Sequence, residues 1–451
     1  MPSKGMLRSV GRSYFATLYL GVAILLSSCT PKQAIIPPDK LFASSASAPD
    51  QVSRDLTCQI YLDATSSMQG FARAQTGQQF MLFLQQIDRA FTTGWKSPQL
   101  KFWKFGDGKK AILDRPVYVA ASRMAFYQDA PLSWKTRMDQ VLRTAEAGVF
   151  TVVVTDLFQD ESDEVSVVAS LKEVTFNQRV SVGVLAVKAP FDGVVYDIGP
   201  GSSAAPYKGQ RPLYALLVGR PADILHYVKQ LSALGGFDAD RHFLMLSPQL
   251  SEVPVGTAVP KVDKTPVGLR VRQFTPGALP YARLEFVQSS ARSEPSITLD
   301  HNWEAKPYAP AVDVQKLPEP AISVIRLWQN QRTPYATGAT AIGVKVRPVE
   351  RRLRTTITIP ATAFSQPGVY AVKISLRTAP ETFSLPAWCQ EWSMHASKLA
   401  DSAQRVTRFD GTKTLNLSEF LGDLWTAMVN QNQPSLGDIY LYVSRDVRWL
   451  D

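Results

Sequence analysis

The fold is decided by the stretch CQIYLDATSS, residues 58–67. Its first half, Cys58–Leu62, is an apolar run typical of a strand, and its second half supplies the Asp63 carboxylate and three hydroxyls. About ninety residues later VVVTD, residues 152–156, again ends an apolar run in a carboxylate, that of Asp156. Because ligands gather beyond the carboxyl ends of strands in α/β sheets, the two strand ends are expected to converge. Carboxylate and hydroxyl oxygens are hard donors that suit Mg²⁺.

Apolar runs alternate with helical periods through residues 56–250, which predicts an α/β domain with a mostly parallel sheet. The predicted strands are Cys58–Leu62, Leu100–Phe105, Phe150–Val154, Val180–Val187, Pro212–Val218 and His242–Leu246. The predicted helices are Gln78–Phe91, Thr136–Ala145, Ser162–Phe176 and Pro221–Leu234. Residues 190–211, rich in Gly and Pro, are expected to form an inserted loop.

Three motifs in this region together resemble a von Willebrand factor A-type (vWA) domain, a doubly wound, Rossmann-like α/β fold. They are Asp63-x-Thr65-x-Ser67 after the first strand, Phe105-Gly106-Asp107 closing the second, and Thr155-Asp156 after the strand Phe150–Val154. The resemblance covers roughly 190 residues. It implies a metal-ion-dependent adhesion site (MIDAS), in which a bound cation keeps one coordination position open for a carboxylate of a protein partner.

The family's metal ligands can be transferred to this chain position by position. Mg²⁺ is the expected ion, with Mn²⁺ or Ca²⁺ as alternatives, because it favours octahedral oxygen ligands and keeps exchangeable waters. The resemblance implies two hydroxyls and a carboxylate from the first loop, a threonine from the second and an acid from the third: Asp63, Thr65, Ser67, Thr136 and Asp156.

Three departures from the family pattern bear on this transfer. Thr65 replaces the more usual serine, and Leu157 stands where many members have glycine. Trp134-Lys135 precedes Thr136 in place of a glycine-rich turn, which makes Ser133 a rival ligand. A degenerate site is the alternative, in which the hydroxyls cap the following turn and the aspartates hold loop amides.

The N-terminus has the pattern of a bacterial lipoprotein signal. Residues 1–28 combine a basic start with the apolar stretch Tyr14–Leu26, which is too short to span a bilayer. The tetrad Leu26-Ser27-Ser28-Cys29 resembles a lipobox, which implies cleavage and lipid attachment at Cys29; an ordinary cleaved signal with a chance cysteine is the alternative. The residue after Cys29 is not Asp, which favours the outer membrane. Residues 29–55 are expected to be a flexible tether.

The second half of the chain has a different pattern of apolar and polar residues. Residues 251–266 are predicted to be a linker, and residues 267–380 an antiparallel, immunoglobulin-like β-sandwich, because period-2 alternation dominates there. Residues 381–451 are predicted to form a helix–strand segment that docks on one of the domains. Its helix has an apolar stripe that is expected to be core: Leu421, Leu424, Trp425 and Met428.

The composition and motifs of the chain argue against some classes of function. The 451 residues are 45% hydrophobic, as in folded proteins, and carry a net charge of +10 without a dense Lys/Arg run, which argues against nucleic-acid binding. No acid/base or nucleophile pattern converges, so neither an enzyme nor a small-molecule substrate is predicted. Cys58 and Cys389 would form either a disulfide or two buried thiols.

These patterns support two hypotheses on function. The first is a lipid-anchored envelope protein that binds an envelope or extracellular protein partner through a vWA-type, Mg²⁺-dependent adhesion site. The alternative is a metal-free structural subunit of an envelope or secretion assembly. The sequence leaves open the partner's identity, the membrane face and the oligomeric state.

Overall fold

The computed structural model describes residues 32–34, 36–42, 51–73, 77–113, 116–146, 148–157, 161–178, 180–196, 204–235, 241–247, 269–274, 281–286, 296–302, 308–329, 331–349, 352–395, 409–432 and 435–450. Its strands are β1 (Lys32–Ala34), β2 (Thr57–Asp63), β3 (Gln99–Gly106), β4 (Gly108–Ala111), β5 (Val149–Thr155), β6 (Ser181–Val195), β7 (Ala205–Gly219), β8 (Arg241–Leu246), β9 (Leu269–Phe274), β10 (Tyr281–Phe286), β11 (Ser296–Asn302), β12 (Ala311–Val312), β13 (Ala321–Trp328), β14 (Gln331–Pro334), β15 (Gly343–Val349), β16 (Arg352–Thr358), β17 (Gly368–Arg377), β18 (Phe383–Ser384), β19 (Ser393–Met394), β20 (Thr414–Leu415), β21 (Ser435–Arg445) and β22 (Arg448–Leu450). Its α-helices are α1 (Pro38–Leu41), α2 (Gln69–Ala72), α3 (Gly77–Gly94), α4 (Val117–Ala121), α5 (Met138–Leu142), α6 (Glu161–Gln178), α7 (Pro221–Ala233), α8 (Ala336–Ala341), α9 (Ala387–Glu391) and α10 (Leu417–Asn432).

A seven-stranded mixed sheet, in the order β4-β3-β2-β5-β7-β6-β8, forms the α/β region. The β2–β3 and β2–β5 pairs are parallel, and the other pairs are antiparallel. The prediction of an α/β region is confirmed, but the prediction of a mostly parallel sheet is wrong. The cause is β7, which pairs antiparallel to both β5 and β6 and so separates them.

Helices cover both faces of this sheet. Alternate residues of each central strand point to opposite faces, so Val152 and Val154 join one core cluster while Val153 joins the other. Helices α3 and α7 fill the first cluster, and α5, α6 and α10 fill the second. The apolar runs found in the sequence are therefore central strands buried on both sides.

Residues 190–211 do not form a loop throughout, so that prediction is wrong for most of the segment. β6 and β7 form a long antiparallel hairpin, with Ser181 opposite Gly219 at one end and Val195 opposite Ala205 at the other. The part beyond the ends of the neighbouring strands, residues 188–195 and 205–213, is here called the hairpin arm. Its prolines pair only across the hairpin, since the described strands offer no outer partner there, so a missing N–H group affects at most one ladder.

A second region contains two further sheets that share one core. One is six-stranded, in the order β14-β13-β17-β21-β10-β9, and the other is three-stranded, in the order β11-β16-β15. Leu353 and Ile357 of the small sheet pack with Val372 and Leu441 of the large one. The large sheet is mixed, since β10 and β21 are parallel, and the remaining pairs in both sheets are antiparallel.

The C-terminal segment takes part in both regions, and described residues of the segment before β2 contact it. The predicted core stripe on α10 is confirmed, because its four residues are buried against the seven-stranded sheet. β21 then lies between β17 and β10, at the centre of the six-stranded sheet. Within the segment expected to be a tether, β1 pairs with β22, and Phe42 packs on Tyr440 with ring centres 5.9 Å apart. The predicted signal peptide, Cys29 and the linker at 251–266 lie outside the described residues.

Candidate functional site

The first loop of the candidate site leaves β2 at Asp63 and is organised by that carboxylate. The backbone N–H and the hydroxyl of Thr65 both donate to Asp63 Oδ1, at 2.9 and 2.6 Å. This local bonding holds the chain in a tight turn, and a 3₁₀ turn over Ser66–Met68 comes next. Asp63 and Thr65 are therefore fixed, and buried, at the carboxyl end of a central strand.

Three hydroxyls gather around this carboxylate. Thr65 Oγ1 lies 3.1 Å from Ser67 Oγ and 3.2 Å from Thr136 Oγ1. Thr136 also donates to Asp63 Oδ2 at 3.3 Å. Ser67 and Thr136 are half-buried, so solvent reaches the group from their side. These residues are here called the oxygen cluster: Asp63, Thr65, Ser67 and Thr136.

The second loop of the site is held by the first loop and by the end of β3. The carbonyl of Ser133 accepts bonds from the N–H and the hydroxyl of Ser66, both at 3.2 Å. The N–H of Arg137 donates to the carbonyl of Gly106, also at 3.2 Å. These bonds bring Thr136 into the oxygen cluster. Of the two rival ligands, Thr136 places its hydroxyl beside Asp63, whereas Ser133 contributes a carbonyl that the first loop already uses.

A further hydroxyl, that of Thr155, completes the surroundings of Asp63. Thr155 lies at the end of β5 and donates to Asp63 Oδ2 at 2.8 Å, while its oxygen accepts from the N–H of Leu157 at 3.3 Å. In the sequence, Thr155 stands out only as part of the Thr155-Asp156 motif. Its position directly before the acid, at the end of an apolar strand, was the signal for a role in the site.

A buried arginine reaches the rim from the hairpin arm. Arg211 Nη2 donates to Asp156 Oδ2 at 3.3 Å, and its guanidinium carbon lies 5.5 Å from the centre of the Phe191 ring. The side chains of the pair are only 1% and 2% exposed. Arg211 was not predicted as a site residue, because residues 190–211 were expected to form a loop. A charged residue directly before the apolar run Pro212–Val218 was the available signal.

Burial and charge both act on Asp63. Its burial, followed by the negative charge of Asp156, raises the pKa of the Asp63 carboxyl from 3.8 to about 6. Hydrogen bonds from Thr65 and Thr155 act in the opposite direction, because they favour the charged form. The two predicted acids are thus close enough to repel each other, although Asp156 also has a buried guanidinium beside it.

The oxygen cluster fits a hard divalent cation in the chemistry of its donors. It offers one carboxylate and three hydroxyls, with neighbouring oxygens 2.6 to 3.3 Å apart. Within the described residues, no three His, Cys, Asp or Glu side chains come together, so a site here would depend on hydroxyl donors. The fit is least direct for Asp156, because one of its carboxylate oxygens already accepts from Arg211.

The loop that supplies Thr136 also carries an exposed aromatic side chain. Trp134 lies two residues before Thr136 and is 74% exposed. Its backbone N–H donates to the carbonyl of Pro131 at 3.0 Å, so the loop that carries it is a defined turn. Tryptophan is enriched among the residues that carry most of the energy of protein interfaces.

The remaining sequence predictions concern cysteines and the membrane. Cys58 and Cys389 are buried free thiols on opposite faces of the seven-stranded sheet, so the structure has no disulfide between them. In the part of the chain that is described, no helix is long and apolar enough to cross a membrane.

Comparisons with protein-family models, with curated proteins and with solved structures found no match. Function is therefore inferred from the sequence patterns and from the geometry at the rim of the seven-stranded sheet.

Proposed function

We propose that this chain is a non-enzymatic, lipid-anchored protein of the cell envelope whose α/β region binds a protein partner at the sheet rim. In this proposal the α/β region is a vWA-type domain with an inserted β7, and the second region is an immunoglobulin-like sandwich completed by β21. Cys29 would carry the lipid, and the absence of Asp after it favours the outer membrane. The motif order along the chain and the helices on both faces of the sheet support the vWA assignment.

The observation that carries this proposal is the convergence of the oxygen cluster. Residues from two loops, 71 positions apart at Thr65 and Thr136, bring their hydroxyls to 3.2 Å at the carboxyl end of β2. Mg²⁺ would be held by the four residues of the cluster, with Asp156 beside it. When bound, the cation would supply an open coordination position for a carboxylate of the partner.

Metal binding is tested by titrating the purified mature chain with Mg²⁺ and Mn²⁺ in a calorimeter. Thr136→Ala and Ser67→Ala each remove one donor from the half-exposed side of the cluster, so we expect each to weaken binding by about tenfold or more. Thr92→Ala is the matched control, because Thr92 is exposed and its hydroxyl bonds to backbone carbonyls of its own helix, α3. Equal heats for all four proteins would remove the metal from the proposal.

Partner binding is tested separately, by capture of the tagged protein from membranes with and without EDTA. We expect Trp134→Ala to reduce capture of a discrete partner, since exposed aromatic anchors carry much of the energy of protein interfaces. Leu113→Ala is the control, because Leu113 is also a highly exposed apolar residue but belongs to a different loop. Capture that is unchanged by Trp134→Ala and by EDTA would contradict recognition at this rim.

One observation favours the alternative of a metal-free structural subunit. The buried Arg211–Asp156 pair already supplies a positive charge to one of the predicted metal ligands. In intact cells, crosslinking to a fixed set of envelope proteins, insensitive to chelator, would support that alternative. Loss of the crosslinks on adding EDTA would support the metal-dependent proposal instead.

A further inference from the structure

The hairpin arm places the guanidinium of Arg211 at the rim of the seven-stranded sheet. β7 runs antiparallel to β5, and the last pair between them joins Thr155 to Tyr214. Arg211 precedes Tyr214 by three residues in the chain. It therefore lies past the carboxyl end of β5, where Asp156 follows Thr155. The same strand that breaks the parallel order of the sheet therefore positions the guanidinium against the predicted acid of the third loop.

Contacts with the first loop fix the arm in this position. Phe191 of the arm packs edge-on against Phe71 of α2, with ring centres 4.9 Å apart. Any side chain at Gly70 would overlap the Phe191 ring, so helix and arm are in close contact. Asp192 ties the arm to Arg73 of the loop after α2, at 3.2 Å.

This packing leaves the guanidinium no route to solvent. Arg211 is enclosed by the Phe191 ring on one side and by Asp156 on another, and is 1% exposed. An arginine keeps its charge at all pH values that proteins tolerate. The positive charge beside Asp156 is therefore permanent.

The balance of charge at the rim bears directly on metal affinity. Among the described residues, the rim brings together the buried carboxylates of Asp63 and Asp156 and the buried guanidinium of Arg211. A divalent ion held by Asp156 would lie beside the fixed positive charge of Arg211, in buried surroundings where screening by water is weak. It would also have to share Asp156 with a hydrogen-bond donor already in place.

We propose that Arg211 is an internal counter-cation that competes with divalent metal ions for Asp156 and so lowers the affinity of the rim for Mg²⁺. This inference rests on the proposed metal function of the oxygen cluster. It makes Arg211 a residue that determines metal affinity from outside the set of ligands. In the wild-type chain the ion pair between Asp156 and Arg211 keeps the rim folded without a metal.

The test compares variants that remove the charge with one that removes a charge elsewhere. Arg211→Gln keeps a hydrogen-bond donor near Asp156, and Arg211→Met keeps most of the buried volume. Lys208→Gln is the matched control, because Lys208 is on the same strand, is exposed and pairs with Asp192 instead. Each protein is titrated with Mg²⁺ and Mn²⁺ by calorimetry, and its melting is monitored by circular dichroism in EDTA and in millimolar MgCl₂.

We expect both Arg211 variants to bind Mg²⁺ at least about tenfold more tightly than wild type, while Lys208→Gln binds as wild type does. In EDTA the Arg211 variants should melt earlier than wild type, because Asp156 is then a buried charge without its cation. Mg²⁺ should restore most of that loss in the variants and change the wild-type midpoint less. Adding Asp156→Asn to Arg211→Gln should abolish the gain in affinity.

The outcomes separate this inference from the proposed function. Tight binding only in the Arg211 variants supports the inference and leaves the wild-type protein metal-free. Equal affinity in wild type and variants overturns the inference but keeps the metal site. No binding in any protein overturns both. Failure of both Arg211 variants to fold in millimolar MgCl₂ would assign the guanidinium to the fold alone and would overturn the inference as well.

Discussion

Leu157, directly after Asp156, has a left-handed backbone with φ of 51°, a conformation that glycine adopts far more readily than leucine. In this chain the Leu157 side chain is buried in the second core cluster, so its packing offsets the backbone strain.

The strain at Leu157 predicts an unusual order of stabilities. Leu157→Ala should lower the free energy of unfolding by about 2–4 kcal/mol through the lost packing. Leu157→Gly loses the same packing but relieves the strain, so it should be more stable than Leu157→Ala by about 1 kcal/mol. At the control position, Leu171 in α6, glycine should instead be the worse of the two by about 1 kcal/mol. Urea unfolding measures all four variants, and the same order at both positions would contradict the strain.

Asp63 gives a prediction about the metal-free protein. Its folded-state pKa of about 6 lies above the ordinary 3.8, so the native state holds this proton more tightly than the unfolded chain does. Wild-type stability should therefore decrease as pH rises from about 4 to about 6 and stay reduced above that range. Asp63→Asn removes this loss and can still accept the Thr65 bonds.

We accordingly expect Asp63→Asn in EDTA to be more stable than wild type at pH 8, by on the order of 1–3 kcal/mol. The difference should shrink toward pH 4. Thermal melts across this pH range measure it, and the same variant should fail to bind Mg²⁺ in calorimetry. A variant that is less stable than wild type at pH 8 would show that the carboxylate is favourable in the metal-free fold.

The first-loop part of the oxygen cluster was predictable from the sequence, because Asp63, Thr65 and Ser67 lie within one local turn. Thr136 was found only through the family resemblance, since nothing near it in the chain points to Asp63. Arg211 could not be predicted, because its contact with Asp156 depends on the pairing of β7 with β5. That pairing is a long-range choice that local patterns do not encode.

Among the strands and helices too, local sequence patterns predicted some elements and missed those that depend on long-range pairing. The central strands β2 and β5 were found from continuous apolar runs, which reflect burial on both faces. The hairpin arm was assigned to a loop because Gly and Pro are rare in paired strands. Pro190 and Pro206 nevertheless lie in paired positions, opposite Gln210 and Val194. They are tolerated because the arm extends past its neighbours and needs hydrogen bonds on one edge only.

The contact between the arm and α2 can be tested at Gly70. Gly70→Ala places a methyl group within the Phe191 ring, so we expect a loss of about 1–3 kcal/mol in the free energy of unfolding. Gly422→Ala is the control, because nothing lies within 4 Å of a Cβ there and alanine favours a helix. It should be neutral or stabilising by about 0.5–1 kcal/mol. Equal stabilities of the two variants would contradict close packing of the arm on the first loop.

At the scale of the whole molecule, the C-terminal segment joins the two regions. α10 packs against the seven-stranded sheet, and the hydroxyls of Tyr214 and Thr414 lie 2.8 Å apart in a buried contact. β21 comes directly after α10 and lies at the centre of the six-stranded sheet. The sequence predicted that this helix–strand segment docks on a domain. It did not predict that the segment serves two sheets, because a strand's partners are not encoded in its own residues.

This arrangement predicts that the two regions unfold together. Leu424 of α10 is fully buried, so Leu424→Ala should lower the free energy of unfolding by about 2–4 kcal/mol. Because α10 and β21 are adjacent in the chain, amides of β5 and of β17 should lose protection from hydrogen exchange by the same factor. Leu82→Ala, at a half-exposed position on α3, is the control and should change neither strand appreciably. Loss of protection confined to β5 would show that the two regions unfold independently, and the C-terminal segment would then be a linker rather than a shared element.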